Sequence, residues 1–586
     1  MITKKRIIWM AILMLSLFGI IAARLVQIQL VNTDSFSKHN INLVEYSVNQ
    51  RMQSLVLDDG RGKFYDRNGR LINHVELQTL LLFPFLAKME WPIEEVASII
   101  GVSPDVLKRE IEAAKEPFTL LVNGEPAILT DEHTAKINNL QIPGVFAARR
   151  TFPEKDRVAE QLIGSLTSAT PDQLDELRGR GHFSSNLKVG DKGLQKTFDD
   201  FLLSIGESKL AYHVDAIGGP LFGMNVKYVT PGNPLYPAKV NTTIDLELQE
   251  AAEKILDQSG IKAGGLLLLD IDDSELRVVA SRPNVDKKDP NAGIGSKNMM
   301  FTQSTLGSVF KTVVAAAAIE EQLVNGQSMF NCSLKLDGTV ETDMEKANGT
   351  LNLKESFARS CNRTFGELAN SLSKKDPDAL ERYAEMLQLT GESGWKGNVY
   401  HSEFIQLHGE EQGRIWLKDE YKSDEKLVAQ TAIGQQDVQA TPLAVANMMA
   451  TIARNGERMS VKAVNDVEYA NGTTAASFKD QHAEGESISP GTAKQLQELL
   501  LGVVASEHGT ARSLNGLPVS IAGKTGTAQT DKSQKLMNKW FAGYFPAEKP
   551  EYAIVAVNLQ TDEQGASAVS LVRDFVGKMA AMDRPD

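Results

Sequence analysis

Leu306-Gly307-Ser308-Val309-Phe310-Lys311-Thr312-Val313-Val314, running on into Ala315 to Ala318, sets a hydroxyl and an amine three residues apart at the head of an apolar, helix-forming run. Positions i and i+3 of a helix share a face, so the spacing predicts that the Lys311 amine can take the Ser308 hydroxyl proton. Gly307 allows close backbone approach just before the serine. A serine at the N-terminus of a helix also meets unpaired N–H groups and the positive end of the helix dipole, both of which favour a developing oxyanion. The bland alternative is a cap serine followed by a solvated lysine. The tetrapeptide cannot decide, because six other Ser-x-x-Lys runs begin at Ser35, Ser185, Ser259, Ser371, Ser393 and Ser423.

Two further motifs supply the context. Ser360-Cys361-Asn362 offers a second hydroxyl, able to relay a proton, and an amide able to hold a carbonyl. Ser-x-Asn recurs at Ser47, Ser184, Ser296 and Ser513, but Ser360 lies far enough from both Ser308 and Lys524 to occupy a separate element. Lys524-Thr525-Gly526-Thr527 occurs once and continues the apolar, strand-like run Val519 to Gly523. Gly526 lets a substrate or another backbone approach the strand closely. A strand edge there presents N–H groups, and Lys524 with the threonine hydroxyls can bind a carboxylate.

At 586 residues the chain exceeds one compact core, and about 150 residues per domain predicts two to four units. The net charge is −13 and no basic run occurs beyond the extreme N-terminus, which argues against a nucleic-acid partner. Ile7 to Ala23 carry no charge, with Lys4-Lys5-Arg6 before them and Arg24 after. This predicts a cytoplasmic tail over 1–6, a membrane anchor over 7–27 and everything beyond on the outer side; a cleaved signal peptide is the competing reading. The two cysteines, Cys332 and Cys361, are too few for a disulfide framework and read as small buried hydrophobes, with a single bridge left open. The nine histidines show no ligand spacing, so no metal is expected.

Residues 30–235 carry no catalytic signature and read as a spacer or docking module, ending in the Pro- and Gly-rich stretch Tyr228 to Pro237. The catalytic domain is then 236–586. In it, Thr243 to Leu256 predicts a helix capped by Thr243 or Asp245, and Gly264 to Ile271 with Leu276 to Ser281 a hairpin. Val519 to Ala522, Trp540 to Phe545 and Tyr552 to Leu559 complete five strands around a helical middle, with a closing helix near Ser567 to Met579. The expected class is α+β, with an antiparallel sheet built from both ends of the domain.

In this order the three motifs resemble the active site of penicillin-binding proteins, the D,D-transpeptidases of bacterial cell-wall synthesis. Gly434-Gln435-Gln436-Asp437 and Trp540-Phe541-Ala542-Gly543-Tyr544 also look like the family, and Arg61-Gly62-Lys63 to Gly69 with Gly193-Leu194-Gln195-Lys196 resemble the non-catalytic pedestal of its class B. Leu306 stands where the family commonly has Pro, and Gln195 where it commonly has Glu. The resemblance implies a five-stranded antiparallel sheet flanked by helices, preceded by a mixed α/β pedestal and one transmembrane helix. It implies Ser308 as nucleophile and Lys311 as its base, the amine being kept neutral by burial and by Lys524. The N–H groups of Ser308 and Thr527 would form an oxyanion hole, Ser360 would pass a proton to the leaving amine, and Asn362 would orient the donor peptide. Lys524, Thr525, Gly526 and Thr527 would hold the terminal carboxylate.

The implied partners are peptidoglycan stem peptides, beta-lactam antibiotics, the cell membrane and a glycosyltransferase, with no metal or organic cofactor. Two other readings stay open. One is a D,D-carboxypeptidase or beta-lactamase-like hydrolase, for which no deacylating carboxylate can be placed. The other is a non-catalytic scaffold or antibiotic sensor.

Overall fold

A computed structural model describes residues 2–33, 52–178, 187–204, 206–214, 227–230, 232–343, 348–531 and 535–582. Met1, Pro231 and the alternative motif serines Ser35, Ser47, Ser184 and Ser185 lie outside them. The N-terminal apolar segment is helical from Ile2 to Val26 and continues as a π-helical turn over Gln27–Val31. Its 28 residues from Lys4 to Val31 are long and apolar enough to cross a membrane.

The chain packs as two compact units. The first comprises 1–60, 74–153 and 206–232 and contains two three-stranded sheets. Its strand His74–Leu82 shows why a run of leucines suits a strand buried on both faces. Successive side chains point in opposite directions, so Leu80 and Leu82 join a core with Val96, Leu107 and Ile111, while Leu81 joins another with Leu55, Leu57 and Tyr212.

The second unit comprises 61–73, 154–205 and 233–586. Two stretches of the expected pedestal thus pack with the catalytic segment: Phe64, Leu162, Leu194 and Leu202 share one core with Val240. The Gln195 side-chain oxygen still accepts from Arg61 at 2.8 and 3.1 Å, and Asp199 supplies the carboxylate to the same guanidinium at 2.6 Å. The amide at 195 thus binds the guanidinium, and the negative charge beside it comes from Asp199, at the start of the next helix.

In the catalytic part, helix α1 (Leu246–Gln258) is capped by Asp245, whose side chain accepts from the Leu248 N–H. Strands β1 (Gly264–Asp270) and β2 (Leu276–Arg282) form the expected hairpin. Then come α2 (Lys311–Glu320), α3 (Leu353–Ala358), α4 (Asn362–Lys375), α5 (Pro442–Ala453) and α6 (Pro490–Ala505). Strands β3 (Ala522–Asp531), β4 (Leu536–Phe545) and β5 (Tyr552–Thr561) and helix α7 (Ala568–Met582) close the domain.

The five strands pair antiparallel in the order β2-β1-β5-β4-β3. The central strands are continuously apolar, with Leu266 to Leu269 and Ala553 to Val557 all buried, because both faces of the sheet are covered. Helices α2 and α5 are mostly apolar and buried on every face for the same reason, Glu320 at the end of α2 excepted. Strand β3 begins only at Ala522 and runs through Lys524 to Thr527 at the edge of the sheet, so most of the expected run 519–522 precedes it.

Candidate active site

Gly307–Phe310 forms a 3-10 turn that leads into α2. Half-buried Ser308 lies in that turn, and fully buried Lys311, three residues on, opens α2. The Lys311 amine lies 2.7 Å from the Ser360 carbonyl oxygen, 2.6 Å from Asn362 Oδ1 and 3.0 Å from Ser360 Oγ. Lys524 Nζ lies 3.1 Å from the same Ser360 Oγ. The Ser360 hydroxyl therefore bridges the two amines, and three separate stretches of sequence converge on one point.

Neither amine has a carboxylate within 4.0 Å among the described residues. Aromatic rings cover them instead, with Lys311 5.6 Å from the centre of Phe365 and Lys524 5.6 Å from that of Phe357. Burial, reinforced by the Lys524 charge, holds Lys311 well below the ordinary lysine range. Burial lowers Lys524 to about 7. A neutral amine has two N–H donors and one lone pair. If the Ser360 carbonyl and the Asn362 amide oxygen take the donors, the lone pair is left for a hydroxyl. The Ser308 hydroxyl makes no hydrogen bond among the described residues, to Lys311 or to any other group.

Ser360 has φ +59°, a left-handed conformation that costs a non-glycine residue roughly 1–3 kcal/mol. Its neighbours hold it there. Cys361 is joined to Cys332 by a disulfide, which corrects the expectation of two free, buried cysteines. Burial was read properly, at 7% and 4% exposure, but the pairing ties the second motif to the Met329–Asn331 strand region.

Strand β3 presses on the Ser308 turn through glycines. A Cβ on Gly307 would stand 2.4 Å from the Thr527 carbonyl oxygen, and one on Gly526 would stand 2.5 Å from that of Leu306. Gly307 also donates its N–H to the Gly434 carbonyl at 2.9 Å, and Gln435 Nε2 reaches the Thr527 carbonyl at 3.4 Å. Thr525 Oγ1 lies 2.7 Å from Thr510 Oγ1, while the Thr510 N–H donates to the Ala358 carbonyl at 3.1 Å. Thr510 thus links β3 to α3, the helix that precedes Ser360. Sequence reading missed it, since an isolated threonine after Gly509 carries no signal of its own. Thr527 stays exposed at the sheet edge, where a ligand can reach it.

Residues 264–577 match the family model for the penicillin-binding protein transpeptidase domain, and 58–237 match that for the penicillin-binding protein dimerisation domain. Stage V sporulation protein D of Bacillus subtilis is 25% identical, over 95% of this chain and 82% of its own length. The peptidoglycan D,D-transpeptidase MrdA of Acinetobacter baumannii is 23% identical, over 98% and 87%. A chain from a structure described as "Structural coordination of polymerization and crosslinking by a peptidoglycan synthase complex" shares the fold, with a TM-score of 0.64, 23% identity and 99% of each chain covered.

Proposed function

Because the chain belongs to the penicillin-binding transpeptidase family, and within it to class B, we propose that it cross-links peptidoglycan stem peptides as a serine D,D-transpeptidase. The observation that carries this reading is the buried, uncompensated Lys311 amine, three residues after Ser308 and in contact with Ser360. Lys311 takes the Ser308 proton as Oγ attacks the penultimate D-alanyl carbonyl. The N–H groups of Ser308 and Thr527 hold the oxyanion, an interaction worth about 2.7–4 kcal/mol per donor in a comparable serine enzyme. The C–N bond breaks, Ser360 hands a proton to the departing amine, and D-alanine leaves an ester on Ser308. An amine of a second stem peptide then attacks that ester, forming the cross-link and restoring the hydroxyl.

Asn362 orients the donor, and Lys524, Thr525 and Thr527 hold the terminal carboxylate, with Gly526 keeping the strand close. A beta-lactam enters the same path but leaves no separate amine behind. The N-terminal helix anchors the chain with its catalytic part outside the membrane, where a glycosyltransferase partner supplies uncross-linked glycan. Labelling the full chain with fluorescent penicillin tests the proposal. An adduct that persists for many minutes and is absent from Ser308→Ala is expected. Rapid turnover would indicate a hydrolase, and labelling of Ser308→Ala would overturn the assignment.

A further inference from the structure

Ser308 Oγ is placed only as well as the chain that carries it. That chain enters through the two-residue strand Ser304–Thr305, which pairs with Gln439–Ala440, and turns at Gly307 (φ +57°), whose N–H is held by the Gly434 carbonyl. Two side chains of β4 converge on one backbone atom just ahead of the turn. The Thr305 carbonyl oxygen accepts from Trp540 Nε1 at 3.0 Å and from Asn538 Nδ2 at 3.3 Å. Both donors are buried, at 1% and 3% exposure, where an unpaired N–H is costly.

Each donor is aimed by the sheet. Trp540 stands opposite Gly526 in the pairing of β3 with β4, and a Cβ on Gly526 would come within 3.2 Å of Trp540 Cβ. Opposed residues share a face, so the indole extends toward the Ser308 turn along the face that the glycine leaves bare. Asn538 is aimed by a bulge. Leu559 and Gln560 of β5 together stand opposite Asn538 alone, between the pairs Met537–Thr561 and Lys539–Asn558. Gln560, at φ +49°, donates its N–H to Asn538 Oδ1 at 3.1 Å, which leaves the amide nitrogen to face Thr305.

We propose that Asn538 and Trp540 are positioning residues for acylation. By fixing the Thr305 carbonyl they hold the nucleophile turn in register with β3, so that Ser308 Oγ stands at attack distance from a carbonyl seated on that strand. The proposal rests on the reading of Ser308 as nucleophile and adds what places it. Neither side chain touches the substrate or moves a proton. Losing either donor loosens the chain three residues before Ser308, and a displacement of about 1 Å at a reacting atom can slow attack by about 100-fold. Asn558 supplies the comparison. It is equally buried, at 4% exposure, and its Nδ2 donates to the Ala566 carbonyl at 3.0 Å, but that carbonyl leads into α7 and not into the nucleophile turn.

The test follows fluorescent-penicillin acylation of the detergent-solubilised full chain over a range of penicillin concentrations, which separates the acylation step from the binding before it, and records the thermal midpoint of each variant. Trp540→Phe removes one donor and keeps a ring. Asn538→Asp removes the other and keeps an acceptor for Gln560. Each is expected to slow the acylation step about tenfold, with penicillin binding unchanged within about twofold. Asn558→Asp, the matched change, is expected to lower the midpoint as much as Asn538→Asp does and to acylate at the wild-type rate. A wild-type acylation step in either Trp540→Phe or Asn538→Asp, or an equal slowing in Asn558→Asp, would overturn the assignment. Where the buried carboxylate of Asn538→Asp prevents folding, Trp540→Phe decides by the same criterion. A wild-type chain that is never acylated, or is acylated away from Ser308, sinks the transpeptidase reading itself, whereas variants acylated at the full rate sink only the positioning role.

Discussion

Lys311 and Lys422 are both lysines withdrawn from water, and the fold treats them in opposite ways. Lys422 meets three carboxylates, Asp378 at 2.8 Å, Glu381 at 2.7 Å and Asp419 at 3.0 Å. Burial alone would lower its pKa, but hydrogen bonds to those three groups outweigh it and push the amine above the ordinary range. Lys311 meets a carbonyl, an amide oxygen, a hydroxyl and a phenyl ring, and no carboxylate among the described residues. One environment fixes a charge and the other removes it. Buried lysine is structural where charge is returned to it, and chemically available where it is not.

The contrast breaks most visibly by exchanging each lysine for methionine, which keeps the stem and deletes the amine. Lys311→Met is expected to slow penicillin acylation by about three orders of magnitude, within the span of general-base effects, without lowering the thermal midpoint. Lys422→Met should do the reverse, lowering the midpoint while acylation of the folded protein continues. Similar losses of acylation in both would erase the distinction.

Next in size is Gly526→Ala. Its Cβ would stand 2.5 Å from the Leu306 carbonyl and 2.9 Å from Val309 Cγ2, so either β3 or the Ser308 turn must shift. A loss of about 2 kcal/mol and an acylation rate about 100-fold lower are expected, from overpacking and a misplaced nucleophile. Unchanged labelling would show that the two elements are not rigidly opposed.

Replacing Cys332 and Cys361 together by serine sharpens the picture of what holds Ser360. The bridge spans 29 positions, for which the chain-entropy view gives about 3–4 kcal/mol. Denaturant midpoints should fall accordingly, with a several-fold slower acylation as Ser360 loses its anchor. Stability lost with full acylation would place the bridge outside the catalytic support. The smallest effect belongs to Gln436, at φ +62° in the loop after Gly434. Gln436→Gly should raise stability by about 1 kcal/mol, since glycine adopts that conformation freely. A lowered midpoint would mean that the side chain, not the backbone, matters there.

The same two regions show what a sequence discloses. The five strands and the closing helix were legible because sheet burial writes itself as apolar runs at Leu266 to Leu269 and Ala553 to Val557. The start of β3 was misplaced because an edge strand that faces a cleft has no need of apolar alternation, and Lys524 to Thr527 breaks the pattern. The packing of 61–73 and 154–205 with the catalytic unit depends on distant pairs such as Thr242 with Tyr65 and Glu253 with Ala159, which no local period encodes. Motif spacing brought Ser308, Ser360 and Lys524 into consideration together. It was silent on Thr510 and left the Cys332–Cys361 bridge open, since both contacts exist only when the chain is folded.

The pH dependence of penicillin acylation addresses the neutral amine most directly. Lys311 must be uncharged to accept the Ser308 proton, so the rate should fall on the acid side of its titration and stay level above it. With burial and the Lys524 charge depressing Lys311, the rate is expected to stop rising well below the ordinary lysine range. A rate that goes on climbing to pH 10, as an ordinary lysine would dictate, would contradict an amine held neutral by its surroundings.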